Sequence, residues 1–229
     1  MATQAVAQDE VERARSYAEK TLRGQYLKGR KRQSRLEHAA EVSILVKLGG
    51  GNAKTQVVGM IHEIISHTNT SLPNLVERFG QEIIQTVLEV TEPDDWHFIT
   101  EFGRKQKLAR RIASSSSSAK LVQLANEISE VRSLVNDPPI GWGTVRCLES
   151  VEGSRLLAQA CEGTSALLTA TFIETYYETL GKYGVVHFQA FEGALCGFSG
   201  KPLKEWPLGQ TLAPEQVFVT CPKCLAPPE

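Results

Sequence analysis

The chain has 229 residues, of which 41% are hydrophobic and 22% charged, and its formal net charge at pH 7 is −1. This composition is typical of a soluble globular protein, and the length allows one large domain or an average domain with a small module. The charge gives no overall attraction to nucleic acid or membranes, and no apolar run approaches the ~18 residues of a membrane span.

The amino-terminal residues, MATQAVAQDEVERAR, are polar and acidic and lack the apolar core of a signal peptide. We therefore expect a cytoplasmic protein, in which the cysteines are thiols or metal ligands rather than disulfides. Cys147 and Cys161 fall within helical patterns, and we predict that both are small core residues.

Apolar residues recur at three- and four-residue spacing up to about residue 180, which predicts an all-α domain. The stretch TSLPNLVERFG begins with a Thr or Ser cap and has a proline in the first turn, as helix starts often do. The serine run Ser114–Ser118 is interpreted as a flexible connector without packing content. The predicted helices cover 10–28, 35–48 up to the glycines at 49–51, 53–67, 70–90, a helix that includes Leu121 and Ile128, and two more that are broken at Gly163-Thr164.

The pattern changes after Gly184. VVHFQAF and QVFVT are short runs of strand type, with glycines and prolines between them. We therefore divide the chain into a helical domain, residues 1–182, and a small β module, residues 183–229.

Two histidines and a glutamate lie close together in MIHEIISHT, residues 60–68. A zinc protease needs H-E-x-x-H, because histidines at i and i+4 share one helix face. The residue four positions after His62 is Ser66, and His67 comes one position too late. The spacing argues against a zinc-protease site.

Several blocks of the chain are similar, in the same order, to those of a known family. GQYLK is similar to its Q-x-R-K stretch, RLEHA holds the place of its first metal-binding histidine, and MIHEIISHT stands where it has L-H-D-x-x-E-D-T. LVERFGQEIIQTVLEVT is close to F-G-x-x-V-x-x-L-V-x-x-V-T, and SSSSSAKLVQLANEISEVRSL to S-x-x-A-K-L-V-K-L-A-D-K-L-x-N-L-R-x-L. From about residue 11 to 180 the chain thus resembles the small stand-alone HD-domain alarmone (ppGpp) hydrolases of the RelA/SpoT family. The resemblance implies an all-α HD-domain fold.

The resemblance also implies a metal site. The family holds a metal, usually Mn²⁺, through His, a His-Asp pair and a distant Asp, and an E-D pair helps to activate water. The metal positions correspond to His38, His62, Glu63 and Asn126, and the E-D pair to Ser66 and His67. Only one of the four carboxylates remains, which implies weak metal binding and weak or absent hydrolysis.

Two alternatives stay open for this pocket. His38 and His62 can be core histidines whose hydrogen bonds are satisfied without a ligand. The altered ligand set can also still bind Mn²⁺ and support slow or altered chemistry.

A basic run precedes the first histidine of this set. Lys28 matches a lysine that contacts nucleotide in the family, whereas the arginine before it has become Leu27. Arg30, Lys31 and Arg32 can substitute for that arginine, although such a run is more often a solvated face. A phosphorylated nucleotide is therefore the expected ligand.

The carboxy-terminal module contains the set His187, Cys196, Cys221 and Cys224, in the pattern H-x8-C-x24-C-x2-C. Three cysteines and one histidine complete a tetrahedral Zn²⁺ site, and Cys-Pro-x-Cys is a zinc-knuckle turn. A thioredoxin-like redox site would need a helix after C-x-x-C, which is missing. The alternative for His187 is an ordinary surface position on a strand. We predict a structural zinc in a zinc-ribbon-like module, because its apolar core is too small to be stable alone.

Three functions follow from these patterns. The first is a non-catalytic nucleotide-binding or regulatory protein, which the lost carboxylates favour. The second is an active Mn²⁺-dependent (p)ppGpp 3′-pyrophosphohydrolase or a related enzyme, which the retained histidines favour. The third is an adaptor whose zinc module binds a protein partner.

Overall fold

The computed structural model describes residues 2–183 and the strand segments 185–190, 193–194 and 210–213. Residues 2–183 are helical nearly throughout, which confirms the all-α fold expected for this part of the chain. None of the helices in the described part combines the length and apolarity needed to cross a membrane. The described α-helices are α1 (Ala2–Thr21), α2 (Arg35–Leu48), α3 (Ala53–Ile61), α4 (Ile64–His67), α5 (Leu72–Phe79), α6 (Gln81–Val90), α7 (Glu101–Ile112), α8 (Ser117–Asn136), α9 (Thr144–Ala160) and α10 (Ala166–Tyr183), and a 3-10 helix covers Asp94–Phe98.

Helix boundaries differ from the predicted ones where glycines change the direction of the backbone. The first helix ends at Thr21 and not at residue 28, and Gly24 follows it with φ +76°. The predicted helix 70–90 is divided at Gly80, whose φ is +85°. Glycine adopts such angles without strain, so Gly80 ends a helix and Gly24 forms the turn that follows one.

The predicted helix 53–67 is also divided, at His62 and Glu63. The carbonyl oxygen of Gly59 lies 2.7 Å from His62 Nδ1. In an uninterrupted helix this carbonyl would accept from the backbone N–H of Glu63. The side chain of His62 therefore takes over a helical hydrogen bond, and the helix is interrupted at the candidate site.

The serine run is a helix start, and its interpretation as a flexible connector was wrong. Ser116 is the N-cap of α8, and its hydroxyl accepts from the N–H of Ala119. The N–H and hydroxyl of Ser116 both donate to Glu89 Oε2 at 2.8 Å, which ties the cap to α6. Serine is favoured at this position because its oxygen satisfies a free helical N–H.

Helix α8 lies at the centre of the domain and packs against α2, α3, α6, α7, α9 and α10. Apolar side chains are buried on all its faces, for example Leu121, Val122 and Ile128. Such a helix should carry polar residues only where they have partners. Cys147 and Cys161 are both fully buried, as predicted.

The described strands form a small sheet in the order β2-β1-β3. β1 (Val185–Ala190) pairs antiparallel with β2 (Gly193–Ala194) and parallel with β3 (Gln210–Ala213). β1 lies within the predicted strand VVHFQAF, whereas the predicted strand QVFVT lies outside the described residues. The side chain of His187 and the residues Cys196, Cys221 and Cys224 also lie outside them, so the zinc module stays a prediction.

Candidate metal centre and nucleotide cavity

Three packed helices bring the predicted metal positions together. His38 lies on α2, His62 directly follows α3, and Asn126 lies on α8. A capping box between Ser34 and Glu37 fixes the start of α2 one turn before His38. The ring centroids of the two histidines are 5.4 Å apart. The sequence-based prediction that these positions share one site therefore has a geometric basis.

The hydrogen-bond partner of His62 selects one tautomer of its ring. Nδ1 faces the carbonyl oxygen of Gly59, which can only accept, so Nδ1 carries the hydrogen. Burial lowers the pKa of His62 below its ordinary value, which keeps the ring neutral at pH 7. Nε2 therefore has a free lone pair. Metal-binding histidines are commonly held in this way.

The same tautomer follows for His38 from its own partners. Its Nδ1 lies 2.9 Å from the hydroxyl oxygen of Ser129. That hydroxyl donates its only hydrogen to Glu41 Oε2, at 2.6 Å, so it accepts from His38 Nδ1. When the ring is neutral, Nε2 of His38 has a free lone pair as well.

The amide of Asn126 is oriented by two carboxylates. Nδ2 donates to Glu127 Oε1 at 3.3 Å and to Glu130 Oε1 at 3.1 Å. Turning the amide over would place its oxygen against both carboxylates, so this orientation is fixed. Oδ1 then faces the two imidazoles, 3.0 Å from His38 Nε2 and 3.2 Å from His62 Nε2.

When both imidazoles are neutral, three atoms with lone pairs thus meet without a hydrogen between them. This contact is repulsive unless a cation lies among the three atoms. With both rings neutral, the tautomers set by Ser129 and Gly59 leave no hydrogen for a contact among these three atoms. The side chains of His38, His62 and Asn126 therefore fit a divalent metal ion.

Glu63 is a further ligand candidate, but it already has a partner. Ligand atoms of His38, His62 and Glu63 lie within 4.8 Å of one another. Glu63 Oε2 accepts from Arg35 Nη1 at 2.7 Å. Burial alone would raise the pKa of Glu63, but the two histidines and Arg35 lower it, so the group is a carboxylate. Its charge is shared between Arg35 and any bound metal.

The residues at the positions of the water-activating pair lie on the same cavity. Ser66 and His67 are both on its wall. His67 Nε2 lies 3.7 Å from Glu63 Oε1, and its backbone carbonyl accepts from Gln25 at 2.6 Å. A hydroxyl and an imidazole replace two carboxylates here, so the site has less negative charge than the resemblance implies for its relatives.

The metal positions open into a cavity of about 670 Å³. This volume is within the range of small-molecule sites. Lys28 stands on the wall of the cavity, as do Pro139 and Trp142 on the connection after α8. The cavity therefore joins a candidate metal site, a cation and an aromatic ring, which suits a phosphorylated nucleotide.

The loop that carries Lys28 is fastened to the end of α8. The backbone N–H groups of Arg30 and Lys31 donate to the carboxylate of Asp137, both at 2.8 Å. The N–H of Ile140 donates to the carbonyl of Lys28 at 2.9 Å. Arg30 and Arg32 are exposed and do not line the cavity, and the guanidinium of Arg32 lies 4.3 Å from the ring centre of Tyr26. Of the predicted nucleotide-binding residues, only Lys28 stands at the cavity.

A buried ionic cluster beside the metal positions was missed by sequence reasoning. Lys105 Nζ donates to Glu127, Glu130 and Ser154, each at 2.7 Å. Burial alone would lower the pKa of Lys105, but Glu127 and Glu130 raise it well above its ordinary value. The signal that could have found the cluster is the polar set on α8, a helix otherwise apolar on all faces.

Comparison with known proteins shows the family to which the chain belongs. The HD-domain family model matches residues 14–140, more than half of the chain. The chain belongs to the HD-domain family. Its helical domain has the fold of a solved metazoan SpoT orthologue that hydrolyses ppGpp. The two chains superpose with a TM-score of 0.68 over 74% of this chain and 94% of the other, at 22% identity.

Curated relatives of this HD-domain protein include the guanosine-3′,5′-bis(diphosphate) 3′-pyrophosphohydrolases MESH1. The Xenopus tropicalis protein is 27% identical over 135 residues, which cover 58% of this chain and 74% of that protein. The Mus musculus protein is 27% identical over 119 residues, which cover 52% and 65%. The Homo sapiens protein is 28% identical over 109 residues, which cover 48% and 59%. The chain thus spans about three fifths to three quarters of the length of these relatives.

Proposed function

We propose that this HD-domain protein binds a phosphorylated nucleotide together with a divalent metal ion, and that it hydrolyses the nucleotide slowly or not at all. The observation that carries the proposal is the contact of Asn126 Oδ1 with His38 Nε2 and His62 Nε2. With both rings neutral these three acceptor atoms suit a cation, and they lie at a cavity of nucleotide size. Guanosine 3′,5′-bis(diphosphate) is the first ligand to test, because relatives of known activity act on it.

The side chains around the cavity have separate tasks in this proposal. His38, His62 and Asn126 hold the metal ion through neutral atoms, and Glu63 adds a shared carboxylate. When bound, a metal ion neutralises phosphate charge and lowers the pKa of a water molecule. Lys28 binds a phosphate group at the cavity wall. Asp137 holds the loop that carries Lys28 in place, so little conformational entropy of this loop is lost when the nucleotide binds.

The expected loss of hydrolysis follows from charge and acid–base chemistry. A metal ion held mainly by neutral ligands is bound more weakly than one held by carboxylates, because hard cations favour anionic oxygens. Ser66 is a poor base compared with a carboxylate. Glu63 is the carboxylate beside the histidines, and Arg35 stabilises its charge and makes it a weaker base.

A second candidate function is slow hydrolysis of the same nucleotide class by a changed mechanism. The arrangement of His67 and Glu63 favours it, because the imidazole is 3.7 Å from the carboxylate and stands on the cavity wall. A histidine beside a carboxylate is a common general base. In this mechanism His67 would accept a proton from water, and the charge of Glu63 would stabilise the imidazolium that forms.

The carboxy-terminal zinc module is a separate proposal that rests on the sequence. We infer that His187, Cys196, Cys221 and Cys224 hold one structural Zn²⁺ and that the module stabilises the end of the chain or binds a protein partner. Among the described residues, those that line the cavity all precede residue 158, so the two proposals can be tested separately.

Calorimetry and a product assay on the same sample test the main proposal. The protein is titrated with guanosine 3′,5′-bis(diphosphate), with and without Mn²⁺, and pyrophosphate release is measured in parallel. We expect binding that His38→Ala and Lys28→Ala both weaken, with pyrophosphate release far below that of a relative with the complete motif. Release at the rate of such a relative would favour the enzyme. No binding of guanine or adenine nucleotides would contradict both candidate functions and favour an adaptor.

A further inference from the structure

Two carboxylates behind Asn126 form a cage with one lysine. Glu127 and Glu130 each accept from Asn126 Nδ2 through Oε1 and from Lys105 Nζ through Oε2. Gln123 also donates to Glu127, at 2.7 Å, and Ser154 lies 2.7 Å from the lysine nitrogen. Every polar atom of the cage therefore has a partner.

The charges in this cage do not cancel. Both oxygens of Glu127 and of Glu130 accept from N–H donors, as the oxygens of carboxylates do, so one ammonium and two carboxylates leave a net charge of −1 next to the amide nitrogen of Asn126. The neutral side chains of Gln123, which donates to Glu127, and Ser154, which accepts from Lys105, do not change this sum. A carboxylate that accepts from an amide N–H polarises the amide, so that more negative charge resides on its oxygen. The polarised oxygen is Asn126 Oδ1, which faces both imidazoles.

We propose that Glu130, together with Glu127, supplies through the amide of Asn126 the negative charge that a neutral ligand set lacks, and so sustains the affinity of this site for a divalent metal ion. This inference rests on the proposed function, because it needs the metal. Glu130 is then a positioning residue, which orients and polarises a ligand without contacting the ion. Residues that hold ligands in this way commonly contribute a factor of about 10 to 100 to metal affinity.

Glu130 is the better of the two carboxylates for a test. Glu127 is 1% exposed, so that its replacement would also disturb the core, whereas the side chain of Glu130 is 42% exposed. Glu130→Gln keeps the shape and removes the charge. The matched control is Glu92→Gln, which removes a carboxylate from the same cavity without touching Asn126, since Glu92 accepts from Arg104.

The experiment measures binding of Co²⁺ and Mn²⁺ to the full-length proteins in the absence of nucleotide. Co²⁺ is followed by its visible absorption, which reports on ligands, and Mn²⁺ by calorimetry, with thermal melts to confirm folding. The carboxy-terminal site is first filled with one equivalent of Zn²⁺, which its thiolates select over neutral ligands, and unbound Zn²⁺ is removed. We expect Glu130→Gln to weaken binding about tenfold or more and Glu92→Gln to leave it within about twofold.

A charge swap separates this role from a merely structural one. Asn126→Asp alone would set a third carboxylate against Glu127 and Glu130. The double variant Asn126→Asp/Glu130→Gln instead moves the charge onto the ligand itself. We expect it to bind metal at least as tightly as the wild type, although it lacks Glu130. A structural role for Glu130 would leave the double variant as weak as Glu130→Gln.

The outcomes distinguish this inference from the proposed function. Equal metal affinity of the wild type and Glu130→Gln would overturn the inference and leave the proposed function in place. A double variant that is no better than Glu130→Gln would also overturn the inference. A wild-type protein without affinity for either ion would overturn the metal site of the proposed function, and the inference with it.

Discussion

Arg35 Nη1 lies 2.7 Å from Glu63 Oε2, and the two side chains are only 14% and 13% exposed. Arg35 thus already pairs with the carboxylate that lies beside His38 and His62. A metal ion and the guanidinium therefore compete for the same negative charge. Arg35 is the first residue of α2, the helix that carries His38, so the fold itself places the guanidinium beside the metal positions.

Removing this guanidinium should make the protein less stable and the metal site stronger. We expect Arg35→Met to lower the free energy of unfolding of the metal-free protein by about 2–3 kcal/mol, because it leaves a mostly buried carboxylate without its partner. Mn²⁺ should then raise the melting temperature more in the variant than in the wild type, since Glu63 is free to bind. Arg13→Met, in an exposed pair with Asp9, is the control and should change neither quantity. An identical Mn²⁺ response in both proteins would exclude Glu63 from the site.

Restoring the missing acids should recover part of the hydrolase chemistry. The variant carries Glu63→Asp, Ser66→Glu, His67→Asp and Asn126→Asp, and it also needs Glu130→Gln, because Asn126→Asp loses both hydrogen bonds to its neighbouring carboxylates. We expect pyrophosphate release from guanosine 3′,5′-bis(diphosphate) with Mn²⁺ to rise roughly 100-fold or more, since a positioned base contributes about 10²–10⁴. The same variant with His62→Ala should lose the gain. A folded variant that binds the nucleotide but shows no gain would indicate that further residues prevent turnover.

The attachment of the loop at Asp137 should control nucleotide affinity. Asp137 holds the N–H groups of Arg30 and Lys31, and a Cβ at Gly29 would come within 2.1 Å of its Oδ2. We expect Asp137→Ala and Gly29→Ala each to weaken nucleotide binding by calorimetry, because the loop no longer presents Lys28.

Lys28 provides the control for this prediction. When Lys28→Ala is already present, Asp137→Ala should weaken nucleotide binding little further, since both changes remove the same phosphate contact. Binding of the single variants should also become weaker as salt increases, to the extent that a phosphate contact remains. Full additivity of Asp137→Ala and Lys28→Ala would contradict the positioning role of Asp137.

The zinc prediction can be tested with thiol chemistry. We expect one equivalent of Zn²⁺ in protein purified without chelators, and Cys221→Ser should release it without changing helical content. Cys147 and Cys161 are an internal control. Burial raises the pKa of both thiols, to about 12 for Cys161, so that they remain protonated and unreactive at pH 8. New reactive thiols on zinc removal must then belong to the other three cysteines. Less than half an equivalent of zinc would show that the ligand set is wrong.

The sequence predicted the helical domain well because its signals are local. RLEHAAEVSILVKL forms a helix with the predicted ends, and the break near Gly163 lies between α9 and α10. Errors arose where a short-range rule competed with tertiary contacts. Five serines are typical of a linker, but Glu89 on α6 accepts from Ser116 and makes the run a capped helix start.

For the candidate site, the sequence predicted which residues lie together but not their charges and partners. His38, His62, Glu63 and Asn126 were predicted together, and the structure brings them together. The tautomers of the histidines depend on Gly59 and Ser129, which no motif marks. Arg35 and Lys105 are 28 and 22 residues from their carboxylate partners, so that only the packing of helices reveals these pairs.

The central claim is that a metal ion binds between His38, His62 and Asn126. Anomalous scattering from crystals of the full-length protein grown with Mn²⁺ tests it most directly, with data collected on both sides of the Zn²⁺ edge to separate the two metals. We predict an anomalous peak of Mn²⁺ at about 2.0–2.3 Å from His38 Nε2, His62 Nε2 and Asn126 Oδ1. A well-ordered site without a peak, with Asn126 Oδ1 still in contact with both imidazoles, would contradict the account.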